Sequence, residues 1–343
     1  MKRFFFLAVA ATAMFAACNK TEVVPTYDAQ EIAVFAVNKV ATKSPVSGDN
    51  FLAADEMRVS AYLAAAPGNE SNVGEYFSNI KFADSNTDGL WTGGQYWPLF
   101  SSTLNFLAVT EKGGNVDNTT VSFGSTAYAE ASLTGNNVFN QNDLMYAIGK
   151  GTTNGAGNYA AVNMIFRHSL AWVNFAFKSN IESVITVKSI ALTAKYNGVL
   201  ALSFPEYNRV EAFTNAALTA TWPEAYLDDN KVQLVPSAGY DAAMTSVTLP
   251  ASLSTDPFAV YGGGLMVVPG AFAGRQFVIT YDISSVDANG TAVNKEFTYT
   301  YPVSQNWEMG KKYTYNINIT LDEIEVDPDV ADWTPETVTV PVL

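Results

Sequence analysis

The chain reads as an all-β protein built of antiparallel sandwiches, and three observations lead there. Alternating or continuous runs of β-branched and aromatic residues recur along its length. Clusters of Gly, Asn, Asp and Pro punctuate those runs about every ten residues. Almost no stretch carries the 3.6-residue period of an amphipathic helix. Short strands joined by frequent turns favour antiparallel pairing, because parallel neighbours need long crossovers.

Taken in order, the first element is not part of the fold. Lys2 and Arg3 give a positive start, Phe4 to Phe15 are almost wholly apolar, and Ala16 and Ala17 precede the single cysteine, Cys18. A spanning helix needs about 20 apolar residues, so this shorter run reads as a signal peptide over residues 1–17. Phe15-Ala16-Ala17-Cys18 resembles a bacterial lipoprotein lipobox, which makes Cys18 the expected acylation site. Several acyl chains would hold the mature chain on a bilayer. Residues 18–30 are polar and read as a tether. Residues 31–43 hold the first strand, Ile32 to Val37, and the start of an open loop.

Further strands are expected at Met57 to Ala64, Thr103 to Thr110, Asp143 to Gly149 and Ala171 to Phe177. "KSNIES" then breaks the pattern, so a boundary is expected near Asn180, with one sandwich over 44–180 and a second over 181–343. The second half continues with "VITVKSIALTA", "KVQLVP", "GLMVVP", "QFVITYDI", "KEFTYTYPV" and "KYTYNINITL". Between Val210 and Leu227 the period is mixed, and a short helix or a long loop fits equally.

Composition narrows the function classes. With 343 residues, 48% hydrophobic and 15% charged, the chain has material for two domains with large cores. Its net charge is −14, and removal of Lys2 and Arg3 leaves 17 basic against 33 acidic residues, a balance of −16. Such a surface repels nucleic acid and anionic lipid. Without a second cysteine no intrachain disulfide forms, and the fold stands on its core.

Chemistry-bearing motifs are scarce, and no cofactor is implied. The one histidine, His168 in "FRHSLAW", sits between apolar neighbours and reads as structural, since the chain lacks the partners a zinc site or catalytic dyad needs. Asp327 and Asp329 flank Pro328 and read as turn residues and not as a glycosidase pair. "YGGGLMV" lacks the lysine and helix of a phosphate loop. Asp84, Asn86 and Asp88, with Gln95 at the far end, follow the spacing of a calcium loop without its helices, and a plain inter-strand turn uses the same residues. Trp91, Tyr96 and Trp97 offer a stacking platform for a glycan, although core packing beside an apolar strand is the favoured role. No enzyme is expected.

Three passages bring a family into view. "GQYWPLFSSTLNFLAVT" (Gly94 to Thr110), "NMIFRHSLAWVNFAFK" (Asn163 to Lys178) and "NWEMGKKYTYNINITLDEIEVDPDVADW" (Asn306 to Trp333) resemble the fimbrillins, the lipoprotein pilins of type V pili. The resemblance implies two transthyretin-like antiparallel β-sandwich domains in tandem and export as a lipoprotein to the outer membrane. It further implies removal of the first strand by a protease, and a neighbouring subunit's strand in the groove so opened. The partners would be other pilin subunits, with a surface receptor that the sequence does not name.

The residues permit that route. Ile32, Val34 and Ala36 alternate with Ala33, Phe35 and Val37, so the first strand is apolar on both faces and suits a covered place. The loop after it offers Lys39 and Lys43 to a protease, and a cut after Lys43 would release the whole strand. At the other end, within residues 336–343, Val338, Val340 and Val342 alternate with Thr337, Thr339 and Pro341. That makes a half-apolar strand able to fill a groove in another subunit, or to complete its own domain. A glycan-binding surface lipoprotein is the alternative to a pilin.

Overall fold

The structure, a computed structural model, describes residues 30–38, 51, 54–64, 73–112, 116, 127–131, 143–153, 159–179, 183–195, 198–203, 207, 213–214, 218–223, 231–235, 247–248, 265–271, 273–320 and 324–332. Among these residues every regular element is a strand, and the all-β expectation holds. No described helix is long and apolar enough to cross a membrane.

The first half contains β1 (Glu31–Asn38), β2 (Glu56–Ala64), β3 (Gly74–Ala83), β4 (Trp91–Tyr96), β5 (Ser102–Lys112), β6 (Ala127–Ala131), β7 (Asp143–Thr153) and β8 (Val162–His168). The second begins with β9 (Ala171–Ser179), β10 (Val184–Ala194), β11 (Gly198–Ser203), β12 (Thr219–Thr221), β13 (Lys231–Val235) and β14 (Val247–Thr248). It ends with β15 (Leu265–Val267), β16 (Gln276–Val286), β17 (Ala292–Pro302), β18 (Lys311–Ile319) and β19 (Ile324–Asp332).

Seven of these strands run in the order β1-β4-β3-β2-β5-β7-β8 and close into a barrel, because β1 also pairs with β8. Closure removes both sheet edges. It needs curvature, and β3 supplies some where an extra residue shifts its register opposite Val59 to Ala61 of β2; Asn79 there adopts φ 55°, and its N–H bonds Ser60 Oγ at 2.8 Å. The barrel is filled by Ile32, Val34, Met57, Phe82, Trp91, Trp97, Phe106, Met164, Phe166 and their neighbours.

A second core lies between two sheets, β15-β9-β18-β19 on one side and β13-β10-β16-β17 on the other. Alternate residues of β9 (Ala171, Val173, Phe175, Phe177) meet Ile190 and Leu192 of β10 and Phe277 and Ile279 of β16. Strand β9, which precedes residue 180, thus belongs to this second core through its odd-numbered side chains. Trp172, between them, faces a third cluster with Leu107, Val109, Leu144, Tyr146, Leu200 and Leu202. That cluster sits where the sheet β12-β11-β6 covers the outer face of β5 and β7.

Two pairings differ from the antiparallel expectation: β1 runs parallel to β8, and β9 runs parallel to β18. Each joins strands far apart in sequence, so no short turn dictates antiparallel order. "EVDPDVAD" also differs, since it forms the edge strand β19, paired to β18 on one side, instead of a turn. Pro328 is tolerated there because an edge strand has one side with no ladder to donate to.

Candidate functional site

The first strand expected from the sequence is β1, and its seat lies between two other strands of the barrel. Its backbone pairs antiparallel with β4, with Glu31 opposite Tyr96 and Val34 opposite Trp91. On its other side it runs parallel to β8, from Val34 beside Val162 to Asn38 beside Phe166. Ile32 and Val34 are fully buried in the barrel core, and Ala36 packs against the same cluster. Ala33 and Phe35 on the other face are half-buried. Burying two such aliphatic side chains contributes about 3 to 6 kcal/mol before the ladder bonds are considered.

Polar contacts fix where β1 begins. Gln30 Nε2 donates to the Tyr159 carbonyl at 2.7 Å, and its Oε1 accepts from the Tyr159 N–H at 2.6 Å. The Gln30 carbonyl accepts from the Trp97 N–H at 3.0 Å, and Glu31 Oε1 accepts from the Gly94 N–H at 2.8 Å. Neither Gln30 nor Glu31 stood out in the sequence, because a polar pair before a strand has no periodic signature. The walls need small residues. A Cβ on Gly151 would lie 2.3 Å from Trp97 Cη2, and one on Gly93 would lie 2.4 Å from Phe82 Cδ1, so these glycines make room for the aromatic filling.

The aromatic platform divides. Trp91 and Trp97 are each 3% exposed, and Trp91 Nε1 donates to the Asp55 carbonyl at 2.8 Å. Both belong to the core, the favoured role, and of the three only Tyr96, at 49%, reaches solvent. Its neighbours there are residues that the sequence did not single out: Tyr76, Leu99 and Phe100 are also exposed, and Tyr76 Oη donates to the Tyr96 carbonyl at 2.8 Å.

In the Asp84 to Gln95 loop, the Asp84 carboxylate accepts from the N–H groups of Asp88 and Gly89, at 3.1 and 3.0 Å. Asp88 Oδ1 accepts from the Leu90 N–H at 3.0 Å, and Thr87 and Gly89 take left-handed backbone conformations. These are the bonds of a tight turn between β3 and β4. Asn86 is exposed beside them. Among the described residues no group of three or more His, Cys, Asp or Glu side chains is placed to hold a metal.

His168 is buried at the end of β8, its Nδ1 2.6 Å from Asp143 Oδ2 at the start of β7. The pair ties two neighbouring strands where the barrel passes into β9 through Ser169 and Leu170. Asp327 and Asp329 lie along β19, opposite Asn316 and Thr314. Cys18, Lys39, Lys43, Val338, Val340 and Val342 lie outside the described residues.

Comparison with known proteins decides the family. A family model described as fimbrillin-like matches residues 41–333. The chain belongs to the fimbrillin-like family. No curated protein matches it. Among solved structures, a fimbrial protein from Bacteroides vulgatus is similar at 15% identity and a TM-score of 0.51, over 88% of this chain and 99% of its own. A candidate cell adhesion protein from Bacteroides ovatus is similar at 14% identity and a TM-score of 0.49, over 90% and 99%. A fimbrial assembly protein from Parabacteroides distasonis is similar at 9% identity and 0.42, over 89% and 98%. At such identities the first of these likenesses speaks for a shared fold alone. Fimbrillin-like proteins form a fimbrial and cell-adhesion family, and the expected resemblance is met.

Proposed function

We propose that this fimbrillin-like chain is a structural subunit of a type V fimbria that serves cell adhesion and turns over no substrate. In this reading it is exported as a lipoprotein, acylated at Cys18 and held at the outer membrane. A protease cuts after Lys43, or after Lys39, and β1 leaves. The C-terminal strand of another subunit then enters the seat between β4 and β8, with Val338, Val340 and Val342 turned to the core.

The observation that carries the reading is the place of β1. It is the strand that closes the barrel, with β4 on one side and β8 on the other, and it is followed directly by the lysine-bearing stretch 39–43. Its loss leaves two unpaired strand edges and an open apolar core, which a strand supplied in trans re-pairs and re-covers. Because one subunit's tail fills a different surface on the next, the contact is head-to-tail and builds an open filament.

Two variants made in the native host test this: a chain ending after Trp333, and Lys39→Gln with Lys43→Gln. Surface protein from each is expected to run as monomers in mild detergent, where the parent gives a ladder of multimers. Full-length fimbriae from either variant overturn the exchange.

A further inference from the structure

Five of the ten large apolar side chains that are exposed among the described residues gather at one rim of the barrel: Val73, Tyr76, Tyr96, Leu99 and Phe100. They come from the start of β3, the end of β4 and the turn that follows. Tyr76 and Tyr96 are joined by the 2.8 Å bond already described, and Thr153 Oγ1 holds the turn by donating toward the carbonyls of Pro98 and Phe100, each at 3.3 Å. Leu99 is 61% exposed and Phe100 50%. Clustered apolar exposure of this kind marks a surface that another molecule covers.

The rim has a fixed relation to the seat of β1. Tyr96 stands opposite Glu31, and the next ladder bond runs from the Trp97 N–H to the Gln30 carbonyl. This is therefore the end at which the strand in that seat begins. The opposite rim, where β1 ends beside Phe166, adjoins His168 and the passage into β9. A donor that runs as β1 does, parallel to β8, enters from the rim where β1 begins and puts Val338, Val340 and Val342 where Ile32, Val34 and Ala36 sit.

In that register Thr337 takes the level of Glu31 and Glu336 that of Gln30. Trp333 to Pro335, which precede Glu336, then lie beyond the last ladder bond, Trp97 N–H to the residue-30 level, on the side of the turn that carries Leu99 and Phe100. Strand β19 ends at Asp332, so Trp333 to Pro335 lead from the last strand of one subunit into its donor segment. We infer that the rim formed by Tyr76, Tyr96, Leu99 and Phe100 is the docking surface for Trp333 to Pro335 of a neighbouring copy, with the Trp333 indole as its anchor. The inference rests on the proposed strand exchange and adds its polarity, its register and a second contact outside the groove. Tryptophan set against exposed aromatics is the residue type that carries most energy at such contacts.

The test uses a receptor chain that ends at Asp332, with a specific protease site placed in residues 39–43 and cleaved, and two labelled peptides read by fluorescence anisotropy. One peptide is WTPETVTVPVL and the other TVTVPVL. The longer is expected to bind at least about tenfold more tightly. Leu99→Ser with Phe100→Ser in the receptor, at positions exposed enough to leave the core alone, should abolish that advantage and leave the shorter peptide's affinity unchanged. Equal affinities of the two peptides for the parent receptor overturn the docking surface while the exchange stands. So does an advantage that survives the double substitution. Binding of neither peptide to receptor from which mass spectrometry shows the released β1 segment to be gone overturns the exchange itself.

Discussion

Tyr315 shows how much one side chain holds in the second core. It is fully buried against Phe175, Phe277 and Tyr301, and its Oη accepts a hydrogen bond from Trp307 Nε1 at 3.0 Å. Burial pushes its phenol up to about 12, with the Trp307 bond and the Arg275 charge pulling back part of the way. The folded state thus holds the proton more tightly than the unfolded chain, whose phenol titrates near 10. The stability this represents is whole below pH 10 and is lost as pH rises from about 10 to about 12, at about 1.4 kcal/mol per unit. Tyr315→Phe should cost about 1 to 3 kcal/mol at pH 7, by leaving the Trp307 N–H without an acceptor, and should flatten the alkaline decline. Urea unfolding followed by tryptophan fluorescence between pH 7 and 12 checks both. Arg275 presents the contrary case. It is 4% exposed with its guanidinium 4.6 Å over the Trp307 ring, yet its Nε and Nη1 have no hydrogen-bond partner. Burial accordingly lowers its pKa. Among the described residues no carboxylate pairs with it, and a buried charge so placed returns little, so Arg275→Met should leave the urea midpoint unchanged or raise it. A loss above about 1 kcal/mol would show that the cation–π contact outweighs the desolvation.

At the scale of the element, β1 is an eight-residue strand whose inner and outer faces differ in worth. Ile32 is fully buried and Ala33 only half so. In the uncut chain Ile32→Ala is expected to cost about 2 to 4 kcal/mol, while Ala33→Ser should stay within about 0.5 kcal/mol. Chemical denaturation of the two variants gives the ratio, and equal costs would mean that β1 contributes pairing without packing. The strand also illustrates why its function escapes local inspection. Its apolar alternation marks it as covered, but which strands cover it depends on β4 and β8, about sixty and one hundred and thirty residues away.

Across the whole molecule, the proposed route has the subunit carried to the surface, opened and joined, with acylation expected at Cys18 and strand donation expected from residues 336–343. Cys18→Ser should abolish labelling of the protein by an alkyne fatty acid and shift it from the membrane to the soluble fraction. Equal labelling of parent and variant would overturn acylation at that residue. The net charge of −14 sets copies of the chain against one another at long range, and on the proposed reading the apolar and backbone contacts of a donated strand outweigh that repulsion.

Strand positions were legible wherever packing imposes a local rhythm. "VITVKSIALTA" was expected to be a strand and is β10, because every second residue from Ile185 onward faces a core, apart from the slip between Val187 and Ser189. The strands β3 and β4 gave no such rhythm, since one carries a bulge and the other two glycines. "EVDPDV" misled through its proline, which forbids a central strand and permits an edge. Trp91 and Trp97 could not be told from Tyr96 by composition, because burial depends on which face of the barrel each side chain meets. The sequence by itself determined that the chain is all β, where most strands lie and which family it resembles. The tertiary structure decided that β1 closes a barrel, that it runs parallel to β8, and that exposed aromatics gather where it begins. Those are outcomes of pairing between distant segments, and a period read along one segment carries no information about its partner.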